Sequence, residues 1–224
     1  MTKRGFTSFE FKIVSLHPPL RVCLGITIYR KLNGVELYFY LPRGVFMIKL
    51  LRKRRSIRKY TNKPVPSNAI KRLKEALLRS PSSRNIKPWR FIFLNDSNLL
   101  QRVSLCKSHG AGFLARASLG IIICGDESKS DVWIEDCSIA SILVQMAALE
   151  VGLGTCWIQV RNRSTSKGVS SEKYIRNLLK LPAHMRILSI IACGFPAEKK
   201  KPIPSRKLLH NSISFLKSRT VFPK

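Results

Sequence analysis

Acidic residues are scarce in this chain. Twelve Asp and Glu residues stand against 41 Lys and Arg, which gives a formal net charge of +29 and a sequence pI of about 10.7. An excess of this size favours attraction to polyanions such as nucleic acids, anionic membrane surfaces or phosphorylated small molecules. The basic residues are spread along the chain, and the lysine run at 199–201 is most simply interpreted as a solvated face. The charge indicates a class of partner and carries no information about the fold.

Other features are missing as well. The six cysteines contain no C-x-x-C pair and the four histidines are isolated, so no metal site is expected. Cys124 and Cys193 lie in apolar runs and are predicted to be buried thiols, which fits a reducing cytosol. No run reaches the roughly 18 apolar residues that span a bilayer, and charged residues interrupt the N-terminal segment, so no signal peptide is expected. The expectation is a cytoplasmic protein that does not associate with membranes.

The chain is predicted to consist of one domain with an extension. A hydrophobic fraction of 45% over 224 residues is enough for one core. Residues 1–46 form an atypical extension with β-like pieces at 9–15, 24–29 and 35–40. Three interpretations of it stay open: a hairpin appendage, a poorly ordered segment, or a stretch upstream of a start at Met47. Residues 47–224 are predicted to be the functional domain.

Helices and strands alternate regularly in this second part. Ser67 and Asp96 are predicted to cap helices at their N-termini. Residues 132–151 form a long helix that is apolar on most faces and ends before Gly152. Such a helix has to be buried on all sides, in the core or at a subunit interface. Strands are predicted at 89–94, 119–124, 156–160 and 187–193. The pattern favours a mixed α+β domain, because no G-x-G-x-x-G follows the first strand.

Two clusters carry polar groups that suit a flat, phosphorylated ligand. Arg54, Arg55, Ser56 and Arg58 can surround a phosphate, since an Arg fork matches two phosphate oxygens and Ser adds a short donor. This cluster by itself is a weak signal, because any basic loop could have the same composition. The segment at 80–89, S-P-S-S-R-N-I-K-P-W, offers two hydroxyls and an amide to a heteroaromatic edge. It is equally consistent with an ordinary loop between a helix and a strand.

Two further clusters follow later in the chain. The segment at 152–158, G-L-G-T-C-W-I, has glycines that let backbone approach a flat ligand, although a helix end followed by a strand explains it equally well. After G-F-P at 194–196, a proline-rich arm carries Arg206 and Lys207. This arm either reaches back to a phosphate or stays in solvent.

Each cluster is ambiguous, but their order is informative. R-R-S-x-R-x-Y, then P-S-x-x-N-x-x-P-W, a long apolar helix, G-L-G-x-C-W and G-F-P with a basic arm resembles the FMN-dependent nitroreductase family over residues 47–215. The resemblance implies an α+β fold in which helices flank a mixed or antiparallel sheet. It also implies a homodimer built on long helices, with two FMN sites at the subunit interface.

The resemblance also implies which residues bind the flavin: Arg54, Arg55, Ser56, Arg58, Ser83, Asn85, Cys156, Trp157, Ile158, Arg206 and Lys207. Arg58 would lie toward the pyrimidine edge of the ring, Asn85 would hydrogen-bond the isoalloxazine, and Arg206 would reach the FMN phosphate. No catalytic side chain is expected, because the chemistry would take place at the flavin N5. Lys87 departs from the family pattern, since many members carry Gln there, which puts substrate choice in doubt.

The implied function is an FMN-dependent NAD(P)H oxidoreductase with NADH or NADPH as donor. It would transfer hydride in a ping-pong mechanism to a nitroaromatic, quinone or related small-molecule acceptor. Two alternatives stay open: a specialised flavin-dependent dehydrogenase or dehalogenase of the same superfamily, and a basic nucleic-acid-binding protein. The second alternative is weakened by an aromatic content of 8% and by the lack of strands that interleave basic and aromatic residues. Nonspecific polyanion binding could accompany catalysis.

Overall fold

The computed structural model describes the backbone of residues 25–32 and 35–42 and all of residues 47–215. The chain divides into two compact units, Met1–Phe46 and Met47–Lys224. In the first unit, β1 (Gly25–Leu32) and β2 (Val35–Pro42) pair as antiparallel strands. These strands fall on two of the predicted β-like pieces, whereas the piece at 9–15 lies outside the described residues.

The second unit is built on a four-stranded antiparallel sheet. Its strands follow the order β3-β4-β6-β5. Every residue of β4 is buried, and β6 beside it is buried over nearly its whole length, because both strands consist almost entirely of apolar residues. The strands are β3 (Trp89–Leu94), β4 (Leu119–Asp126), β5 (Gly154–Gln159) and β6 (Met185–Gly194). The predicted α+β class with an antiparallel sheet is confirmed.

Helices cover both faces of this sheet. The helices of this unit are α1 (Met47–Lys53), α2 (Ser67–Leu78), α3 (Ser97–Ser104), α4 (Trp133–Glu150) and α5 (Ser171–Leu179), of which α2 to α5 pack on the sheet. Side chains of a strand alternate between the two faces. Thus Ile121 and Ile123 pack in a core with α2 and α4, whereas Ile122 packs in a second core with α3 and α5.

The helix ends agree with the sequence in two cases out of three. Asp96 caps α3, since its carboxylate accepts a hydrogen bond of 2.7 Å from the Leu99 N–H. Gly152, with φ of +79°, follows α4 in the left-handed conformation that ends many helices. The prediction that Ser67 caps α2 is wrong, because Pro66 occupies that position. Its extended backbone, with φ of −71° and ψ of 153°, suits a cap, while Ser67 is already helical and cannot be one.

The long helix α4 is not buried on all sides within one chain. Its inner side packs on the sheet and on α2, but Ile139 and Ile142 are each 39% exposed. The core therefore covers only part of its apolar surface, and the alternative of a subunit interface stays open. Five free cysteines are buried, which confirms the prediction for Cys124 and Cys193. Within the described part of the chain, no helix is long and apolar enough to cross a membrane.

Candidate functional site: a basic strand edge

The segment that carries the first arginine cluster runs along the free edge of β5. Ser56 forms a parallel bridge with Thr155, and the Ile57 N–H donates to the Thr155 carbonyl over 2.9 Å. This approach depends on Gly154, because a Cβ there would lie 2.9 Å from three carbons of the Ile57 side chain. The cluster is thus fixed to β5 by backbone pairing and by the small size of Gly154.

Residues 195–201 hold the other side of this segment. The Thr61 N–H donates to the Phe195 carbonyl and the Ala197 N–H donates to the Lys59 carbonyl, each over 2.9 Å. Arg55 donates through its guanidinium to the Lys201 carbonyl. The segment at 54–61 is therefore clamped between β5 and the chain that follows β6.

Glu198 and Lys200 connect the clamp electrostatically. One Glu198 oxygen accepts from the Arg58 N–H over 2.6 Å and from the Lys59 N–H over 3.2 Å, and the first bond does most to lower the pKa of Glu198. Lys200 Nζ lies 3.4 Å from the same oxygen and donates to the Ser56 carbonyl over 2.7 Å. The interpretation of 199–201 as a solvated face is therefore wrong for Lys200, which is half-buried against the cluster.

Positive charge is concentrated here without matching negative charge. Arg54 and Arg55 are half-buried, and the Arg58 guanidinium carbon lies 5.7 Å from the centroid of the Phe113 ring. Among the residues that the structure describes, neither Arg54 nor Arg58 has an ion-pair partner for its guanidinium. Half-buried cations of this kind favour an anionic ligand, since Arg forks pair well with phosphate oxygens.

Strand β5 lies directly beside the arginine cluster. Burial raises the pKa of the Cys156 thiol, while Arg58, a hydrogen bond with Ser56 and Lys200 act in the opposite direction. Cys156 and Ile158 are each 1% exposed, so they can contact a ligand mainly through their backbone. Trp157 is half-buried and its indole N–H donates to Gln159 Oε1 over 2.9 Å.

The loop at 82–88 is held in an unusual backbone conformation. Arg84, Asn85 and Lys87 have φ values of 52°, 56° and 56°, in the left-handed region that L-residues rarely adopt. The loop is fixed to the start of α4, because the Ser83 N–H donates to Asp136 Oδ1 over 2.9 Å and Arg84 pairs with Asp131 at 2.6 Å. Asn85 itself is exposed. Backbone strain that the surroundings maintain is common at functional sites.

Residues 201–215 are all exposed and form an arm at the end of the described chain. Arg206 and Lys207 lie in a short 3-10 helix, Ser205–Lys207, within this arm. Neither side chain forms a hydrogen bond or an ion pair with another described residue. Within the described chain, no hydrogen bond or ion pair therefore links them to the Arg54 cluster.

The predicted site residues lie at two separate places on the sheet. The loop that holds Asn85 leads into β3 at one edge, whereas the Arg54 cluster lies along β5 at the other edge. Since neighbouring strands are about 4.8 Å apart, these edges are separated by about 14 Å. The pairing of β3 with β4 and of β4 with β6 places Trp89 level with the start of β6. The pairing of β5 with β6 places Thr155 level with the end of β6. The two groups thus lie at diagonally opposite corners of the sheet.

Glu198 was not predicted from the sequence, although a signal for it exists. It is the sole acidic residue after Glu172 in the full chain, within a strongly basic C-terminal region. An isolated carboxylate among so many cations indicates a specific contact, which the structure locates on the backbone of Arg58 and Lys59.

Comparisons with known proteins agree with this fold. The Nitroreductase family model matches residues 51–111, which include the arginine cluster and the Asn85 loop. An FMN-dependent nitroreductase of Clostridium difficile R20291 has the same fold with a TM-score of 0.74 and 41% sequence identity, covering 76% of this chain and 99% of that one. A relative from Archaeoglobus fulgidus, provisionally named NADH dehydrogenase/NAD(P)H nitroreductase, is 31% identical over 68% of this chain and 87% of its own length.

A more distant relative extends the comparison. The FMN reductase [NAD(P)H] of Bacillus subtilis is 26% identical over 76% of this chain and 74% of its own length. The chain therefore belongs to the nitroreductase family.

Proposed function

We propose that this protein is an FMN-dependent oxidoreductase that takes electrons from NADH or NADPH. The observation that carries the proposal is the set of half-buried arginines on the edge of β5, whose charge is not balanced within the described chain. The names of its relatives support the cofactors: FMN for the protein of Clostridium difficile, and NAD(P)H for that of Bacillus subtilis. Residues 47–224 would form the domain that performs this function.

The donor set fits FMN. A phosphate needs cationic forks and short donors, which Arg54, Arg55 and Ser56 provide within three residues. A flat ring needs backbone that it can approach closely, and β5 provides this at Cys156, Trp157 and Ile158. Arg58 adds a cation at the cluster's end, where it would favour negative charge on the ring.

The remaining residues of the proposed site would come from the loop and the arm. Asn85, which is exposed on its loop, would hydrogen-bond the polar edge of the ring, with Ser83 assisting from the same loop. Arg206 would contact the phosphate, with Lys207 assisting. FMN, when bound, supplies the hydride transfer, so the protein's share is binding, orientation and charge.

A second copy of the chain would complete the site. One chain keeps the Asn85 loop and the Arg54 cluster at opposite corners of its sheet. Large apolar side chains of α1, of α4 and of the arm are also exposed, and a monomer rarely exposes so many. They are Met47, Ile48, Leu51, Ile139, Ile142, Ile203, Leu208, Leu209, Ile213 and Phe215. Dimerisation through these surfaces would bury them and supply the missing half of each site.

The donor and the acceptor would use one pocket in turn, which gives ping-pong kinetics. Small molecules reducible by hydride are the expected class of acceptor. Nitroaromatics and quinones belong to this class.

Absorbance spectroscopy of the purified protein under anaerobic conditions tests the proposal. The expected result is a yellow protein with a flavin spectrum that bleaches when NADH or NADPH is added. Light scattering should give twice the chain mass of 25.5 kDa. A colourless protein that does not take up added FMN would contradict the proposal.

Variants make the test specific to the site. Arg54→Ala and Arg206→Ala should each reduce flavin occupancy through lost phosphate contacts, by about tenfold in affinity or more. Arg102→Ala removes the same charge from an exposed position on α3 and is the matched control. If all three variants keep the flavin equally well, these two residues do not hold the phosphate.

A further inference from the structure

A cavity of about 240 Å³ lies outside the arginine cluster, at the other corner of the sheet. It is formed where the loop at 82–88 enters β3, beside the end of β4 and the start of β6. Its lining carries four basic side chains: Lys87, Arg90, Lys129 and His184. The proposed flavin site does not use any of them.

The charge of the cavity is positive. Lys87, Arg90 and Lys129 stand against one carboxylate, that of Asp126, so the formal charge of these four side chains is +2. Asp126 Oδ2 lies 3.6 Å from Lys129 Nζ and 3.9 Å from His184 Nε2. Lys87 and Arg90, in contrast, have no ion-pair partner among the described side chains. Two cations are thus left to face the cavity.

Asp126 does not act as a competing ligand. Its Oδ1 accepts from the Ser128 hydroxyl over 2.6 Å and from the Ser128 N–H over 3.1 Å, and the hydroxyl bond does most to lower its pKa. Oδ1 is hydrogen-bonded to Ser128, and Oδ2 lies near Lys129 and His184. Both oxygens of the carboxylate therefore contact residues of the protein itself. The carboxylate contacts Lys129 and His184 and does not neutralise Lys87 or Arg90.

The size of the cavity restricts its occupant. Pockets for drug-sized ligands measure about 300–1,000 Å³, so this one fits a phosphate group with a small part of the molecule that carries it. Trp89 also lines the cavity and offers a half-buried aromatic surface for that part. A bare chloride ion would leave most of the space empty.

We propose that this cavity is a phosphate-binding site formed by Lys87, Arg90, Lys129 and His184. Arg90 offers a fork for two phosphate oxygens, and Lys87 adds a point charge from the loop. Asn85 lies two residues before Lys87, so a phosphorylated molecule could reach from the flavin into the cavity. The site itself does not depend on a flavin being present.

Isothermal titration calorimetry with inorganic phosphate and with pyrophosphate tests the site. The FMN-loaded protein is used, so that the Arg54 cluster does not bind the added phosphate, at low ionic strength with sodium chloride as the reference. Arg90→Gln and Lys87→Gln should each weaken binding by about tenfold. Lys71→Gln, which removes one charge from the exposed side of α2, should not. Equal affinities in all four proteins, or no binding to the wild-type protein, would overturn the proposal.

The source of the phosphate is then identified with Arg90→Gln, which lies outside the proposed flavin contacts. A loss of kcat/KM for NADPH alone assigns the cavity to the 2′-phosphate, and an equal loss for NADH assigns it to the pyrophosphate. If neither donor is affected while phosphate binding is weakened, the ligand is a separate phosphorylated molecule. If the protein does not bind FMN at all, the same titration in the Arg54→Ala background still decides whether the cavity binds phosphate.

Discussion

The Glu198 carboxylate accepts a hydrogen bond of 2.6 Å from the backbone N–H of Arg58, although 140 residues separate the two in the chain. The same oxygen accepts from the Lys59 N–H and lies 3.4 Å from Lys200 Nζ. A carboxylate with these three neighbours fixes the basic segment against the chain that follows β6. It does so without contacting the arginine side chains, and the guanidinium groups of Arg54 and Arg58 have no ion-pair partner among the described residues.

Replacement of Glu198 by Ala should therefore loosen the arginine cluster. Hydrogen bonds to charged groups contribute about 1.5–3 kcal/mol, so we expect a loss of about 2 kcal/mol in the free energy of unfolding. The affinity for FMN should fall as well, because the arginines would no longer be held in place. Urea denaturation and flavin titration measure the two effects.

Glu135→Ala is the matched control for this variant, because Glu135 is exposed and has no ion-pair partner among the described residues. It should change both quantities little. The pKa of Glu198 is lowered in the folded protein, so its contribution is present above the usual Glu pKa of about 4.3 and disappears as pH falls below it. Equal acid sensitivity in wild type and Glu198→Ala would show that the carboxylate does not stabilise the fold.

Gly154→Ala tests the contact between β5 and the cluster. The added Cβ would meet three carbons of Ile57 at 2.9 Å, and Ile57 is itself buried. Overpacking of this kind costs about 1–3 kcal/mol, and here it would also displace Ser56 and Arg55 from the strand edge. We expect a lower Tm and weaker flavin binding, measured by thermal unfolding and by flavin content.

Gly112→Ala provides the comparison, since a Cβ at Gly112 meets no atom within 4 Å. It should leave both the Tm and the flavin content nearly unchanged. If the Gly154 and Gly112 variants behave alike, close approach at Gly154 is not what positions the cluster.

The core was predictable from sequence because its signal is local. The runs at 119–124 and 187–193 are apolar except for Ser189, and short runs of this kind are typical of strands covered on both faces. The contacts of Glu198 and Lys200 were not predictable, since their partners are backbone groups about 140 residues away that carry no signature in the side-chain sequence. The separation between the Asn85 loop and the Arg54 cluster follows from strand order, which the motifs do not encode.

Two variants of Asn85 separate its two roles. The residue has φ of 56°, which glycine adopts freely and alanine adopts at a cost of about 1 kcal/mol. Asn85→Ala and Asn85→Gly both remove the amide, so both should shift the reduction potential of the bound flavin, more than they change its affinity. Only Asn85→Ala should lower the Tm. A reduction potential that is unshifted in both variants would remove Asn85 from the flavin site.

The buried thiols make the protein sensitive to alkaline conditions. Burial raises the pKa of Cys106 to about 11 and those of Cys124, Cys137 and Cys193 to about 12. An unfolded thiol ionises near pH 8.5, so above that pH the folded state binds more protons than the unfolded state. Each thiol therefore reduces the free energy of unfolding by up to about 1.4 kcal/mol per pH unit between about 8.5 and its raised pKa, and has no effect at lower pH.

Urea denaturation between about pH 8 and 9.5 with a reducing agent, a range in which Lys and Tyr titrate little, should show this decline. Cys124→Ala should be less stable at pH 8 because of its cavity, but its stability should fall less steeply with pH. Parallel lines for the two proteins would mean that the Cys124 thiol ionises equally in the folded and unfolded states.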